Sequence, residues 1–245
     1  MGMGLCNCDK NIIPLENNFI QNEMPPFDKI TNKVCKIKCS NGKKGLGFFY
    51  KIPIKKNENN FISVLINDSQ ILNEKDFDSN KNNQIKITLY NKEEILIDES
   101  RKIYTNKEFE VTITEIKEDE IKDNNIYSEI DNINPNINDK PEKFLAIYSY
   151  DYDYNNNSND NIFNFSFCHL KDINKKNNNI IEYENEEKDK EFPLGSLLLN
   201  LKGNIIGIHK QKDKEKNFGI LIKGLINEYI NIFDELFETN INNDS

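Results

Sequence analysis

The feature that most constrains this chain is a series of short apolar runs, each of strand length, arranged in two sets with a polar stretch between them. Each set offers six runs rich in Ile, Val, Phe and Tyr, separated by turn residues such as Asn, Asp and Gly. The runs lie at 34–38, 47–54, 61–66, 84–90, 94–97 and 109–116, and then at 144–150, 162–170, 180–183, 195–201, 204–209 and 218–222. The pattern predicts an all-β protein, but by itself it does not choose between barrels and a sandwich.

The same pattern predicts how the chain is divided. Only the end of the chain changes to three- and four-residue apolar spacing, which predicts one amphipathic helix that begins after Gly224. The segments are a tether at 1–32, a first β unit at 33–117, a linker at 118–142, a second β unit at 143–224, a helix at 225–238 and a tail at 239–245. The linker is polar and has room for one short strand near 126–130.

Charge and cysteine content narrow the function classes. Asp and Glu total 41 against 32 Lys and Arg, so the net charge is −9, which argues against nucleic acid as a partner and favours basic protein surfaces. Five cysteines at irregular spacing argue against a disulfide framework and for a reducing compartment, with the cytosol as the default. No apolar stretch reaches the roughly 20 residues that span a bilayer, and the N-terminus does not resemble a secretory signal.

The first eight residues predict a lipid anchor. Removal of Met1 would expose Gly2 as a site of N-myristoylation, although Cys6 stands where Ser or Thr is usual. One myristoyl chain binds membranes only weakly, and Cys6 and Cys8 are placed to carry palmitoyl chains as the second signal. A start at Met3 would make Gly4 the acceptor and would give the same expectation. We therefore predict a cytoplasmic protein held at the periphery of a membrane.

Four stretches of the chain carry a resemblance to a known family. They are residues 45–50, residues 64–72, residues 109–113, and residues 194–197 together with 203–209. In order and spacing they resemble the trypsin-like serine peptidases, and in particular the intracellular protist-type members, over the region from residue 34 to the final helix. The resemblance implies two six-stranded β-barrels of trypsin-like (chymotrypsin) fold followed by a C-terminal α-helix.

The resemblance also implies that the catalytic residues are replaced. Matched position by position, the catalytic His falls on Gln70, the Asp on Glu110 and the nucleophilic Ser on Leu194. A glutamine amide cannot act as a general base near neutral pH, and leucine offers no nucleophile. The loop that would form the oxyanion hole is changed too, since Phe192 replaces a glycine and Pro193 has no N–H.

Other residues offer weaker chemistry. Ser196 matches the second serine of the family motif, which has a structural and substrate-contacting role, and His209 matches the histidine of a Gly-Ile-His strand. Cys168 and His169 are neighbours on one predicted strand and should point to opposite faces. Cys35 and Cys39 would stand about 13 Å apart along a strand, too far to share a zinc ion. We predict no metal site and no cofactor.

These observations predict a catalytically inactive trypsin-like serine protease homologue, tethered to a membrane, that binds or scaffolds an unidentified protein or peptide partner. Replacement of the polar triad by apolar residues would also make the former cleft more apolar. Two alternatives stay open at this point. One is an atypical active endopeptidase that uses Ser196 with another base, and the other is an unrelated β-sandwich adaptor.

Overall fold

The fold was analysed in a computed structural model. It describes residues 31–53, 61–77, 85–89, 91–98, 100–121, 123–128, 130, 143–148, 164–174, 179–186, 192–213 and 216–231. The predicted lipidation residues Gly2, Cys6 and Cys8, and the helix residues after 231, lie outside this part of the chain. Among the described residues, no helix combines the length and the apolar character that a membrane span requires.

The first half of the described chain is a curled antiparallel sheet of seven strands. The strands are β1 (Val34–Cys39), β2 (Lys44–Pro53), β3 (Phe61–Asp68), β4 (Ile85–Thr88), β5 (Glu94–Ile97), β6 (Ile103–Asn106) and β7 (Val111–Glu115). Their order across the sheet is β5-β4-β1-β2-β3-β7-β6. The sheet has one strand more than predicted, β6. It was not predicted because its sequence has no apolar alternation, and it pairs with β7 through its backbone.

The second half is a closed barrel of six strands. The strands are β8 (Lys143–Tyr148), β9 (Asn164–Ile173), β10 (Ile180–Asn185), β11 (Leu197–Leu199), β12 (Ile205–Asp213) and β13 (Lys216–Leu221). The order around the barrel is β10-β13-β12-β11-β8-β9. The tight β11–β12 connection contains Gly203 at φ +85°, as the predicted turn there requires.

Three buried clusters hold these strands together. Alternate residues of β3 point to opposite faces, so Val64 and Ile66 enter the core shared by both halves, whereas Leu65 enters the interior of the first sheet. In β11, Leu197 likewise faces the shared core and Leu198 faces the interior of the barrel. Because both faces of these strands are buried, their sequences are continuously apolar.

The C-terminal helix, α1, is described over residues 222–231 and packs against the first half. Leu225 and Tyr229 are buried, and the Tyr229 ring lies 5.4 Å from the ring of Tyr104 in β6. The helix begins at residue 222, before the predicted position. Gly224 therefore lies inside it and does not mark its start. A Cβ at Gly224 would overlap the side chain of Asn179, so this glycine permits a close approach of the helix.

Candidate functional site

The turn after β3 presents Gln70 at the surface. Asp68 ends the strand, and its carbonyl accepts hydrogen bonds from the backbone N–H groups of Ile71 at 3.0 Å and Leu72 at 3.3 Å. The buried Asn67 side chain donates to the carbonyls of Asp68 at 2.7 Å and Leu72 at 2.9 Å. These bonds fix a single tight turn, so the Gln70 side chain projects from a rigid base.

Glu110 lies directly beside this turn. Its carbonyl accepts a hydrogen bond of 2.8 Å from the Ser69 N–H, and its carboxylate accepts one of 3.4 Å from the Gln70 amide. Glu110 has a φ of +52°, a left-handed conformation that few non-glycine residues adopt. The positions matched to the catalytic His and Asp are therefore in contact.

The loop that carries Leu194 reaches the same turn from the second barrel. Its neighbour Gly195 has a φ of +79°, and a Cβ there would overlap the side chain of Ile71 and lie 3.4 Å from the Cβ of Asp68. The Gly195 N–H donates to the carbonyl of His209 at 3.0 Å, which joins the loop to β12. The three predicted positions thus converge on one cleft between the halves, and Leu194 is exposed there.

A lysine that the sequence analysis did not single out lies at the centre of this cleft. The Lys210 ammonium donates to the Asp68 carboxylate at 2.7 Å and to the Glu110 carbonyl at 2.9 Å, and it lies 3.3 Å from the Glu110 carboxylate. The Lys210 side chain is 10% exposed and that of Asp68 is fully buried. A buried ion pair therefore joins β12 of the barrel to β3 of the first sheet.

A β-bulge interrupts β12 at Lys210. The register of β12 against β13 pairs His209 with Gly219 and Gln211 with Phe218, which leaves Lys210 as the extra residue. A bulge of this kind bends the strand and disrupts the ladder locally. His209 and Lys210 are both buried, His209 among aromatic rings of the barrel and Lys210 against Asp68 and Glu110.

Burial dominates the electrostatics of Asp68. Loss of solvation raises the pKa of the Asp68 carboxyl, and the nearby Lys210 ammonium opposes that rise. The other carboxylate oxygen accepts a hydrogen bond of 2.8 Å from the Gln70 backbone N–H. Asp68 thus depends on Lys210 as its charge partner, and removal of Lys210 would leave the Asp68 carboxylate desolvated and uncompensated.

His209 occupies an aromatic pocket on the other side of the strand. Its Nδ1 atom lies 2.7 Å from the Tyr183 hydroxyl, and its ring meets the Phe192 ring edge-on with centroids 5.7 Å apart. Burial and the Lys210 charge lower the pKa of His209 to about 4, so the imidazole is neutral at physiological pH. The ring is engaged in the interior of the barrel and stays on the side away from Asp68.

The loop that contains Leu194 is closed by hydrogen bonds between Ser196 and Pro193. The Pro193 carbonyl accepts from the Ser196 N–H at 3.1 Å and from the Ser196 hydroxyl at 2.6 Å. Phe192 is buried against the aromatic pocket. The Ser196 hydroxyl is therefore used to hold the loop, and its residue is only 1% exposed.

The remaining candidates lie apart from the cleft. Cys168 is buried, whereas the side chain of His169 is 33% exposed and its Nε2 atom lies 2.9 Å from the Glu186 carboxylate, so the two residues face opposite ways as predicted. Cys35 and Cys39 are free and buried in the first sheet. Within the described part of the chain, no group of three or more His, Cys, Asp and Glu residues is placed to hold a metal ion.

The expectation that Phe192 and Leu194 would make the cleft more apolar is wrong for Phe192. Phe192 is turned into the barrel, and the centre of the cleft holds two acidic residues and one lysine. Leu194 adds exposed apolar surface. Asp68 lies in the stretch 64–72 that carried the resemblance, but no motif of the sequence marks Lys210 as its partner.

Comparison with known proteins establishes the fold. The sequence matches no protein-family model and none of the curated proteins. Deg5 is similar in structure, with a TM-score of 0.55 and 15% identity over 82% of this chain and 89% of that one. The protease of tobacco vein mottling virus has a TM-score of 0.52 and 13% identity, over 81% of this chain and 80% of that one.

A third similar structure is the serine endoprotease from Yersinia pestis, with a TM-score of 0.52 and 14% identity over 83% of this chain and 64% of that one. At these identities the likeness establishes the fold alone. The chain has the chymotrypsin-like two-barrel fold of trypsin-like serine proteases, which confirms the predicted fold class. The β-sandwich alternative is therefore wrong.

Proposed function

We propose that this protein is a catalytically inactive homologue of the trypsin-like serine proteases that binds or scaffolds a protein or peptide partner. The observation that carries the proposal is the Lys210 ammonium, which is held between Asp68 and Glu110 beside Gln70. An ion pair fills the place where proton transfer would have to be organised. The framework of the fold is kept, and it presents surfaces on both sides of a cleft.

The chemistry of the three matched positions supports this proposal. A general base must accept a proton near neutral pH, and the amide of Gln70 does not. The Glu110 carboxylate accepts a hydrogen bond from that amide, where an active triad would orient an imidazole. Leu194 has no atom that attacks a carbonyl.

The alternative of an active endopeptidase would rely on Ser196. A base within roughly 3 Å of its hydroxyl would be required, and the partner of that hydroxyl is the Pro193 carbonyl. A backbone carbonyl is not a general base, so the engagement of the Ser196 hydroxyl by Pro193 disfavours the alternative.

Hydrolysis of a mixed peptide library tests the proposal. We expect no cleavage by the wild-type protein, with trypsin as the positive control. Cleavage that disappears in the variant Ser196→Ala, while a control variant Ser128→Ala retains it, would overturn the proposal in favour of the active alternative.

We further propose that the protein acts at a membrane, attached through acyl chains on Gly2, Cys6 and Cys8. The sequence of the first eight residues supports this attachment. In a eukaryotic cell, the wild type should fractionate with membranes and the double variant Gly2→Ala/Gly4→Ala should become soluble. A double variant that fractionates like the wild type would refute the anchor.

A further inference from the structure

One edge of the first sheet is open. Among the described strands, β5 pairs with β4 alone, whereas β6 at the opposite end of the sheet contacts α1 through Tyr104. The second barrel is closed, so it has no edge. β5 is therefore the place where a strand from another chain can extend the sheet.

The pairing of β5 with β4 fixes which of its backbone groups face outward. Hydrogen-bonded and non-hydrogen-bonded pairs alternate along an antiparallel ladder. At the turn between the two strands the Leu89 N–H donates to the Glu93 carbonyl at 2.9 Å, and the register is regular from there. The N–H and C=O groups of Glu94 and Leu96 consequently point away from β4, and no described residue is their hydrogen-bond partner.

The exposed face of this edge alternates an acid, a leucine and an acid. Glu94, Leu96 and Asp98 lie on one face, and the two isoleucines between them are buried. Leu96 is 61% exposed. The two carboxylates contact Lys86 and residues 100–101 of their own chain, and their side chains are still 48% and 55% exposed.

β5 has little of the protection that is usual at a sheet edge. Natural edge strands are often blunted by a proline, a β-bulge or an inward-pointing charge. Apart from its length of four residues, β5 has none of these, since its sequence is Glu-Ile-Leu-Ile and its register is regular. An exposed leucine at the centre of such an edge indicates a surface that pairs with another chain.

We propose that β5 binds an extended basic segment of a partner protein, which adds to the sheet as an antiparallel strand. Backbone hydrogen bonds to Glu94 and Leu96 supply affinity, and alternate side chains of the segment supply specificity. Opposite charges and apolar pairs stabilise directly opposite positions. The segment therefore carries a base, an apolar residue and a base at alternate positions, opposite Glu94, Leu96 and Asp98.

The net charge favours this occupant over a second copy of the chain. Each copy has a net charge of −9, so two copies repel one another, whereas a basic segment is attracted. The inference rests on the proposed binding role, for which it names the chemistry of the partner and a site outside the cleft.

Fluorescence anisotropy with a labelled, end-capped peptide of sequence Lys-Thr-Leu-Thr-Lys, titrated with full-length protein, tests the inference. We expect saturable binding that weakens as salt is added, since exposed charge pairs are screened. The Glu-Thr-Leu-Thr-Glu peptide should bind at least about tenfold more weakly.

N-methylated peptides test strand addition itself. In the proposed pairing the N–H of the central leucine donates to the Leu96 carbonyl, while the N–H of each threonine points away from β5. N-methylation of the leucine should weaken binding by at least about tenfold. N-methylation of the first threonine is the matched control, and it should change binding by less than about threefold.

Protein variants test whether β5 is the site. Leu96→Pro removes an N–H that β4 does not use, and Leu96→Lys repels the peptide, so each should weaken binding by at least about tenfold. Phe61→Lys adds the same charge at another exposed apolar side chain, in β3, and should change binding by less than about twofold. Thermal unfolding identifies any loss of folding, and Leu96→Lys replaces a Leu96→Pro variant that is unfolded.

Several results would overturn the inference. No saturation up to about 1 mM protein, equal binding of the two N-methylated peptides, or equal weakening by Leu96→Lys and Phe61→Lys would each do so. Self-association of the wild type that Leu96→Pro abolishes would assign the edge to a second copy of the chain. Mass spectrometry of the same samples separates the two proposals, because peptide cleavage would overturn the inactive assignment, whereas absent binding without cleavage refutes this inference alone.

Discussion

Two neighbouring residues of β12 are both buried and yet are accommodated in opposite ways. His209 is neutral and lies among aromatic rings inside the barrel, where Tyr183 is its hydrogen-bond partner. Lys210 projects to the cleft, where Asp68 is its ion-pair partner. Both faces of β12 are covered at this point, one by the barrel interior and the other by the first sheet.

The difference shows two ways in which one strand buries polar side chains. The aromatic side is stabilised by packing and one neutral hydrogen bond, and it is damaged by protonation. The cleft side depends on two opposite charges that were both removed from water, and it is damaged by the loss of either one. Substitutions on each side and changes of pH separate these two kinds of stabilisation.

The largest effect should come from Lys210→Met. Asp68 would keep its buried position without its charge partner, which should lower the free energy of unfolding by about 3–5 kcal/mol at neutral pH. Urea unfolding measures the loss, and the exposed control Lys202→Met should change stability by less than about 0.5 kcal/mol.

The pH dependence of that variant has a fixed sign. Loss of the ammonium raises the pKa of Asp68 further, so the deficit of the variant relative to the wild type is full above that pKa. It should shrink as the pH falls through it, because Asp68 becomes neutral. A deficit that is constant with pH would mean that the ion pair is not its cause.

Acid should act on the aromatic side through His209. Its pKa falls from 6.5 to about 4 on folding, so its contribution to stability is present above pH 6.5 and is lost as the pH falls toward 4. At about 1.4 kcal/mol per pH unit, the wild type should lose about 3 kcal/mol more than His209→Gln over this range.

Two glycine variants should show intermediate effects. Gly195 lies in the loop that contacts the turn after β3, and Gly42 lies in the turn between β1 and β2. Gly195→Ala meets both a positive φ and the Ile71 side chain, whereas Gly42→Ala meets a positive φ of +89° with no atom within 4 Å. We expect a loss of about 1 kcal/mol for Gly42→Ala and about 2–3 kcal/mol for Gly195→Ala, measured by urea unfolding. Equal losses would mean that the loop does not press against the turn after β3.

The smallest effect should come from Gln70→Ala. Its amide contact with Glu110 is 3.4 Å long and exposed, so its removal should change stability by less than about 0.5 kcal/mol. Urea unfolding measures the change in the free energy of unfolding. A loss as large as that of Lys210→Met would show that Gln70 stabilises the cleft as much as the buried ion pair does.

The strand pattern predicted most of the fold because strands buried on both faces are legible as apolar runs. β6 escaped prediction because Ile103–Asn106 is short and lacks alternation. The helix start was misplaced because Gly224 serves a close contact with Asn179, which depends on tertiary structure. Gln70, Glu110 and Leu194 were identified through the resemblance, whereas Lys210 was not, since its contact with Asp68 joins residues 142 positions apart and is a property of tertiary structure.

The mass of the intact protein after treatment with a fluorophosphonate reports whether the cleft contains an activated nucleophile. We predict no mass increase for the wild type, and none for Leu194→Ser, because Gln70 supplies no base and Lys210 stays paired with Asp68. An increase in the wild type that maps to Ser196 and is prevented by heat denaturation would contradict the account.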